Sequence, residues 1–446
     1  MLYEIRPIVG YSVDRDPALQ TERCSPMAHP ASLFQAALVS NRRTRRDEPY
    51  GEARKKILNL HAGREAMAAI SCWPGYQPTP LADLRGLAAE LGVRTLLYKD
   101  ESQRFGLKSF KALGGAYAVA RLLQRIVFEK LDREVAAAEL AARRFKDIIG
   151  DVTVTCATDG NHGRSVAWGA RTFGCRCVIF IHARVSAARA DAIAALGARV
   201  ERTPGNYDDA VRVSSEEAQR NGWHLVSDTS FSGYTDIPRD VMQGYSVMLE
   251  EEAARWEAGP PTHVFVQAGV GGLAAAVCAY FWERFGAARP RIVTVEPDHA
   301  ACLFESAKAG VRQTVEGDLD TVMAGLACGE VSLLAWEILE TGVDFFTTIP
   351  DAAALEVMRR LAGGCGGDPP LVGGESGVAG LAGLIAGAGD PAIRGCIGLD
   401  ARSTVFTIGT EGDTDPELYE RITGYRAEEI LQGRSSPKSL NCLDIS

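Results

Sequence analysis

The sequence predicts an α/β protein with open, mostly parallel sheets flanked by helices, and three observations lead to this fold class. The candidate strands are short Val/Ile runs without polar–apolar alternation, which is typical of strands covered on both faces. Strands and helices alternate along the chain from residue 152 onward. A length of 446 residues also suffices for two packed lobes.

The elements follow in chain order from apolar runs and helical spacing. Residues 1–70 show no clean period and predict an N-terminal extension. The predicted strands lie at residues 93–99, 152–156, 177–181, 199–202, 224–226, 264–267, 292–295 and 404–408. Helices are predicted at residues 110–125, 132–145, 187–196 and 207–220.

Composition excludes several classes of protein. The chain has 48 Lys+Arg against 57 Asp+Glu, and a net charge of -9 argues against a general nucleic-acid binder. No stretch approaches the roughly 18 apolar residues that span a bilayer, and the N-terminus lacks a signal-peptide pattern. We therefore expect a cytoplasmic protein without a membrane partner. Its 11 scattered cysteines form no CxxC pair, which predicts reduced thiols and no metal site.

Lys111 is the first candidate for chemistry, because it follows Ser109-Phe110 at the start of a predicted helix. A lysine that forms a Schiff base must be neutral, so its pKa must lie well below about 10. The positive helix end and the neighbouring cation Lys108 both favour the neutral form. Gly114 and Gly115 indicate that another group approaches this helix closely, since each costs about 1 kcal/mol relative to Ala. On this segment alone, two solvated helix-end lysines are the simpler interpretation.

The second candidate is the loop Thr158-Asp159-Gly160-Asn161-His162-Gly163, which follows an apolar strand and opens a helix. Its two glycines predict a tight turn whose backbone N–H groups point outward, where they can hold an anion such as a substrate carboxylate. Asn161 can donate a hydrogen bond to a phenolate oxygen. A plain β-turn with an Asn cap accounts for part of this pattern, but not for the whole cluster of functional groups.

Two further loops follow buried strands. Gly269-Val270-Gly271-Gly272-Leu273 would let the backbone approach a phosphate, whose charge the helix dipole stabilises. A dinucleotide-binding turn would look similar, but the GxGxxG spacing and its later acidic partner are not cleanly present. Thr410 follows the last strand, and its hydroxyl could meet a ring nitrogen. Taken singly, that segment would pass as a polar loop.

Together and in this order, these motifs resemble the fold-type II pyridoxal-phosphate enzymes. Ser109-Phe110-Lys111 is similar to their lysine motif, residues 159–163 to their Asn-bearing loop, and residues 269–273 to their phosphate cup. The match sharpens to the diaminopropionate ammonia-lyases over residues 76–425. It rests further on Lys99-Asp100-Glu101-Ser102, Arg104-Phe105-Gly106-Leu107, Asp228-Thr229, Gln243-Gly244-Tyr245, residues 323–330, Gly374-Glu375-Ser376-Gly377 and residues 410–415. Lys108 departs from the family pattern, in which a small or neutral residue is more usual.

The resemblance implies a cofactor, pyridoxal 5'-phosphate, bound in the cleft between two lobes and joined to Lys111 as a Schiff base. It implies a large domain of residues 71–112 and 236–446, a small domain of residues 113–235, and a homodimer. The residues that it implies for cofactor binding are Phe110, Lys111, Asn161, Gly269, Val270, Gly271, Gly272, Leu273 and Thr410.

The resemblance also implies a reaction, the conversion of 2,3-diaminopropionate to pyruvate and two ammonia. Lys111 would take the Cα proton from the L-substrate and Asp159 from the D-isomer, while Asp228 would help to hold the amino groups. The implied substrate-binding residues are Thr158, Asp159, Gly160, His162 and Asp228.

Asp159 distinguishes between related activities, because hydroxy-amino-acid dehydratases of this group usually carry Ser at that position. A carboxylate suits a substrate with a second ammonium group, both by charge and as a proton carrier. The alternative is a serine/threonine- or 3-hydroxyaspartate-type dehydratase on the same fold. A non-catalytic small-molecule-binding protein on this scaffold is the third hypothesis.

Overall fold

Two sheets, one of seven strands and one of four, form the framework of the computed structural model, which describes residues 33–433. The strands are β1 Ala37–Ser40, β2 Leu81–Asp83, β3 Thr95–Asp100, β4 Thr153–Ala157, β5 Arg176–His182, β6 Arg199–Thr203, β7 His224–Leu225, β8 His263–Gln267, β9 Arg291–Pro297, β10 Phe345–Ile349 and β11 Thr404–Gly409. The larger sheet has the order β1-β10-β9-β8-β11-β3-β2, and the smaller has the order β6-β5-β4-β7. The edge strands β1 and β2 pair antiparallel and the other described pairs are parallel. The predicted α/β class with mostly parallel sheets is confirmed.

Helices connect these strands and cover the sheets. The described α-helices span Glu52–Lys55, Leu60–Ser71, Arg85–Glu90, Lys111–Leu131, Ala137–Ala141, Lys146–Ile149, Asn161–Phe173, Ala187–Ala194, Tyr207–Asn221, Asp236–Tyr245, Val247–Glu250, Gly272–Phe285, Cys302–Ala309, Leu333–Gly342, Asp351–Gly363, Ala379–Gly389, Pro391–Ile397, Pro416–Thr423 and Ala427–Leu431. Every residue of β4 and β8 is buried, as expected for central parallel strands covered on both faces. Between residues 33 and 433, no helix combines the length and apolarity that crossing a membrane requires.

Three strands of the structure were not predicted from the sequence, and one predicted helix is interrupted. β1 and β2 are short edge strands that become regular only by pairing with a neighbour, and β10 lies between β1 and β9. The single helix predicted over residues 132–145 is instead two short helices, Ala137–Ala141 and Lys146–Ile149. Asp132 and Arg143 adopt φ values of 48° and 56°, and a left-handed residue interrupts a right-handed helix.

The smaller sheet lies wholly within the predicted small domain, since β4 to β7 fall within residues 113–235. Part of the N-terminal extension predicted over residues 1–70 belongs to the larger sheet. Ala37–Ser40 pairs with β10 and extends the large sheet. Residues 1–32 and 434–446 lie outside the described residues.

Close contacts with neighbouring helices hold the helix Lys111–Leu131, which we call the lysine helix. A Cβ atom at Gly114 would lie 2.4 Å from Cε1 of Tyr245, and one at Gly115 would lie 2.4 Å from Oγ of Ser165. These distances are too short for any side chain, so both positions require glycine. The close approach predicted from the sequence therefore comes from protein side chains, and it fixes the first turn of the lysine helix.

A buried ion cluster holds the loop that precedes the lysine helix. Arg104 pairs with Glu101 and with Glu251, at 2.7 Å in each case. Lys99 Nζ lies 2.8 Å from Oε2 of Glu251 and 2.8 Å from Oε1 of Glu252. Because these side chains are almost entirely removed from solvent, each charge depends on its partners.

Replacing Arg104 by Met is expected to lower the free energy of unfolding by about 3–5 kcal/mol, because the change removes a cation from two buried carboxylates. Urea unfolding followed by circular dichroism measures the loss. Arg85→Met is the matched control, since the ion pair of Arg85 with Asp83 is exposed and such pairs contribute little. Equal losses in the two variants would contradict a stabilising role for the cluster.

Candidate active site

The residues predicted for the site converge on one pocket. The pocket is lined by the start of the lysine helix and by the segments that follow β4, β8 and β11. Its lining includes every predicted site residue, namely Phe110, Lys111, Thr158, Asp159, Gly160, Asn161, His162, Asp228, Gly269, Val270, Gly271, Gly272, Leu273 and Thr410. Ligands of open α/β sheets bind at the carboxyl ends of the strands, which is where these segments lie.

Lys111 forms an ion pair with Asp228 inside this pocket. Nζ of Lys111 lies 2.5 Å from Oδ2 of Asp228. Burial by itself would lower the pKa of Lys111, but Asp228 and Tyr245 together raise it well above the usual range. Burial likewise opposes the charge on Asp228, yet Lys111 and then His162 bring the pKa of that carboxyl below its usual range.

The expectation that Lys111 has a lowered pKa is therefore wrong, because the charge nearest to it is a carboxylate. Lys108, the expected cationic neighbour, pairs instead with Asp413 at 2.5 Å and does not line the pocket. To attack an aldehyde, Lys111 must lose a proton, and Oδ2 of Asp228 lies within hydrogen-bond distance to accept it.

The turn before the helix Asn161–Phe173 is built around the hydroxyl of Thr158. Its Oγ1 accepts hydrogen bonds from the N–H groups of Gly160, at 2.9 Å, and of Gly163, at 3.0 Å. These two N–H groups therefore bond within the turn and do not point outward. That the remaining N–H groups of the turn hold an anion stays a prediction. Thr158 and Gly160 shape the loop that carries Asp159, and their contact with substrate stays a prediction.

Asn161 and His162 begin this helix and contact different parts of the chain. Nδ2 of Asn161 donates to Oε2 of Glu411, on the far side of the pocket. Nε2 of His162 lies 2.7 Å from the carbonyl oxygen of Val226, and because a carbonyl only accepts, this nitrogen carries the proton. Nδ1 then faces Oδ2 of Asp228 at 3.9 Å. Burial is the main cause of a lowered pKa of His162, which favours the neutral ring.

The glycine-rich turn after β8 leaves its backbone open to an anion. Gly271 has a φ of 97°, and no side chain among the described residues caps the helix Gly272–Phe285. A Cβ atom at Gly269 would lie 2.9 Å from Sγ of Cys328, so a larger residue would clash with that side chain. The free N–H groups and the dipole at this helix end favour a phosphate, which fits the cofactor that the sequence predicts.

Thr410 reaches the pocket with its hydroxyl orientation restricted. Nε2 of Gln267 donates to Oγ1 of Thr410 at 2.7 Å, and also to the carbonyl oxygens of Gly377 and Ile408. The amide group of Gln267 shares its two protons among these three acceptors, so it does not engage the hydroxyl proton of Thr410, which can be donated to an acceptor in the pocket. An unprotonated pyridine nitrogen is such an acceptor, so this residue also fits the predicted cofactor.

Several pocket side chains were not among the predicted site residues. They are Ser109, Arg189, Tyr207, Tyr245, Gln267, Cys328, Ser376 and Glu411. Tyr245, Ser376 and Glu411 lie in motifs of the family resemblance, which could have identified them. Arg189 and Tyr207 lie in ordinary helix sequence, where no local pattern marks them.

Comparisons with known proteins agree with this site. Residues 72–397 match the family described as "Pyridoxal-phosphate dependent enzyme". The diaminopropionate ammonia-lyase of Escherichia coli is 42% identical over 354 residues, which cover 78% of this chain and 87% of the relative. That of Salmonella typhimurium is 39% identical over 405 residues, which cover 88% of this chain and 98% of the relative.

A solved structure extends the likeness to three dimensions. The crystal structure of the Escherichia coli diaminopropionate ammonia lyase in complex with an aminoacrylate-PLP azomethine reaction intermediate is similar to this chain with a TM-score of 0.78 and 37% identity. The similarity covers 87% of this chain and 97% of that one. This chain therefore belongs to the pyridoxal-phosphate-dependent enzymes and, within them, to the diaminopropionate ammonia-lyase family.

Proposed function

We propose that this enzyme is a carbon–nitrogen lyase that converts 2,3-diaminopropionate and water to pyruvate and two molecules of ammonia. The observation that carries the proposal is the presence of two carboxylates, Asp159 and Asp228, in the same pocket as Lys111. A substrate with two amino groups presents two ammonium charges, and each carboxylate offers a partner for one of them. The membership of the chain in the ammonia-lyase family supports the same conclusion.

Pyridoxal phosphate would be held at both ends of the pocket. Lys111 would attach it covalently, residues 269–273 would bind its phosphate, and Thr410 would donate to its ring nitrogen. Phe110 and Asn161 line the same pocket and would contact the ring. When bound, the cofactor withdraws electrons from the Cα atom of the substrate and so makes its proton removable.

The side chains of the pocket then divide the proton transfers between them. We assign to Lys111 Nζ the Cα proton of the L-isomer and to Asp159 the Cα proton of the D-isomer. Asp228 lies 2.5 Å from Lys111. It would bind an amino group of the substrate when Lys111 is bonded to the cofactor or acts as the base. The Cβ–N bond breaks with its electron pair leaving on nitrogen, so the β-amino group departs as ammonia.

A substrate panel tests the proposal. Pyruvate release from the D- and L-isomers of 2,3-diaminopropionate is expected to exceed keto-acid release from serine and threonine by about 100-fold or more in kcat/KM, which corresponds to about 2.7 kcal/mol of discrimination. The expected reason is that a hydroxyl substrate leaves a carboxylate of the pocket without a cationic partner. Faster turnover of serine would instead establish the dehydratase alternative.

We further propose that the enzyme acts in the cytoplasm as a homodimer, with the small amino-acid substrate as its other partner. Family membership supports this assembly. Light scattering of the purified holoenzyme distinguishes a dimer from a monomer of 47.8 kDa.

A further inference from the structure

We infer that His182 is a positioning residue that holds the Asp159 carboxylate in place for proton transfer, an inference that rests on the proposed function. Nε2 of His182 lies 2.7 Å from Oδ1 of Asp159. The two side chains are 12% and 27% exposed, so the pair lies at the pocket wall and is only partly open to solvent. His182 itself is not part of the pocket lining.

The sheet register brings these two residues together. β4 and β5 are parallel, and Ala157 pairs with Phe180. Two residues further on, Asp159 lies just beyond the end of β4 and His182 is the last residue of β5, so the two residues lie side by side at the carboxyl edge of the sheet. Asp159 and His182 are 23 residues apart in sequence, the same separation as between the paired residues Ala157 and Phe180.

The turn after β5 is held firmly enough to act as a support. Nη1 of Arg202, on the neighbouring strand β6, donates to the carbonyl oxygens of His182, Ala183 and Val185 at 3.1, 2.9 and 2.8 Å. These carbonyl oxygens share the two protons of Nη1, and the contacts restrain the backbone from which the His182 ring projects. The imidazole is therefore anchored independently of the loop that carries Asp159.

Hydrogen bonding also determines which nitrogen faces the carboxylate. The backbone N–H of Arg184 donates to Nδ1 of His182 at 3.3 Å, so Nδ1 is an acceptor and Nε2 carries the proton. Nε2–H then donates to Oδ1 of Asp159. Oδ2 of Asp159 has no hydrogen-bond partner within residues 33–433, and it is the oxygen that remains for the substrate.

Without this contact, Asp159 has a competing orientation. It lies two residues before the helix Asn161–Phe173, which has no side-chain cap. An Asp at a helix start readily turns back towards the free N–H groups of the first turn. We expect His182 to keep the carboxylate out of that orientation and directed into the pocket.

The test is to replace His182 by Ala and by Gln, and to measure kcat and KM of each holoenzyme with the D- and L-isomers of 2,3-diaminopropionate. For His182→Ala, kcat with the D-isomer is expected to fall about 10- to 100-fold, because small misplacements of a catalytic group have effects of this size. The KM values and the kcat with the L-isomer are expected to change less than about twofold. His182→Gln is expected to recover most of the loss, since its amide can also donate.

Two further measurements separate positioning from a general structural effect. In the Asp159→Asn background, His182→Ala is expected to add no further loss, since both changes act through the same group. A crystal structure of the His182→Ala holoenzyme is expected to show the Asp159 carboxylate rotated towards the helix. Equal losses with both isomers, or additive losses in the double variant, would overturn the inference.

The outcomes also distinguish this inference from the proposed function. If the unaltered enzyme turns over neither isomer, the proposed function is wrong. If the unaltered enzyme turns over both isomers and His182→Ala leaves their kcat ratio unchanged, only the role of His182 is wrong.

Discussion

Replacing Lys111 by Ala is expected to abolish turnover of both isomers of 2,3-diaminopropionate, with a fall in kcat on the order of 10⁴, the upper end for loss of a proton-transfer group. The variant loses both the covalent attachment point of the cofactor and the base assigned to the L-isomer. It also leaves the largely buried Asp228 without the ammonium that lies 2.5 Å away. Steady-state kinetics measure the loss of activity. Absorption spectroscopy during titration with pyridoxal phosphate measures the loss of the visible band that lysine attachment produces.

Lys108→Ala is the matched control for this prediction. Lys108 lies three residues before Lys111, but it pairs with Asp413 and does not line the pocket. The visible band is therefore expected in Lys108→Ala and not in Lys111→Ala. A band that persists in Lys111→Ala, or that is lost only in Lys108→Ala, would show that the attachment site is wrongly assigned.

Replacing Asp159 by Asn is expected to lower kcat with the D-isomer about 10²- to 10⁴-fold, the usual range for loss of a general base. Asn has nearly the same shape and still accepts the hydrogen bond from His182, so the loop should keep its structure. Turnover of the L-isomer is expected to fall much less, because Lys111 remains. Parallel kinetics with the two isomers check this asymmetry.

Asp191→Asn is the control for the charge change, because Asp191 lies exposed on a nearby helix of the same domain. This variant is expected to keep the kinetic constants of the unaltered enzyme with both isomers. Equal losses with the D- and L-isomers in Asp159→Asn would contradict the assignment of Asp159 to one face of the substrate. They would indicate that Asp159 acts only by pairing with a substrate ammonium group common to both isomers, and not also as the base for the D-isomer.

Much of the candidate site is predictable from the sequence, because each of its loops carries a local requirement. Residues 269–273 need glycine so that the backbone can approach a phosphate closely. The lysine motif lies at the start of a helix, whose positive end favours a neutral lysine. The glycines at positions 114 and 115 indicate a close neighbour before that neighbour is known. The order of these loops along the chain was sufficient to group them, and the structure places them in one pocket.

The errors at the site concern charge and hydrogen bonding. From its own segment, Lys111 is predicted to have a cationic neighbour, since Lys108 is three residues away. In the structure Lys108 turns to Asp413, and Lys111 meets Asp228, which is 117 residues distant in sequence. Two N–H groups of the turn at residues 158–163, those of Gly160 and Gly163, likewise bond to the Thr158 hydroxyl and do not point outward.

The sequence by itself determined the α/β class of this protein, and it predicted the attachment lysine and the glycine-rich phosphate turn. These features depend on backbone conformation and burial, which neighbouring residues impose on each other. Only the tertiary structure decided which charges pair, namely Lys111 with Asp228 and Asp159 with His182. Such pairs form where loops meet at the carboxyl edge of parallel strands. The strand register that brings them together is a property of the assembled sheet, which no single segment contains.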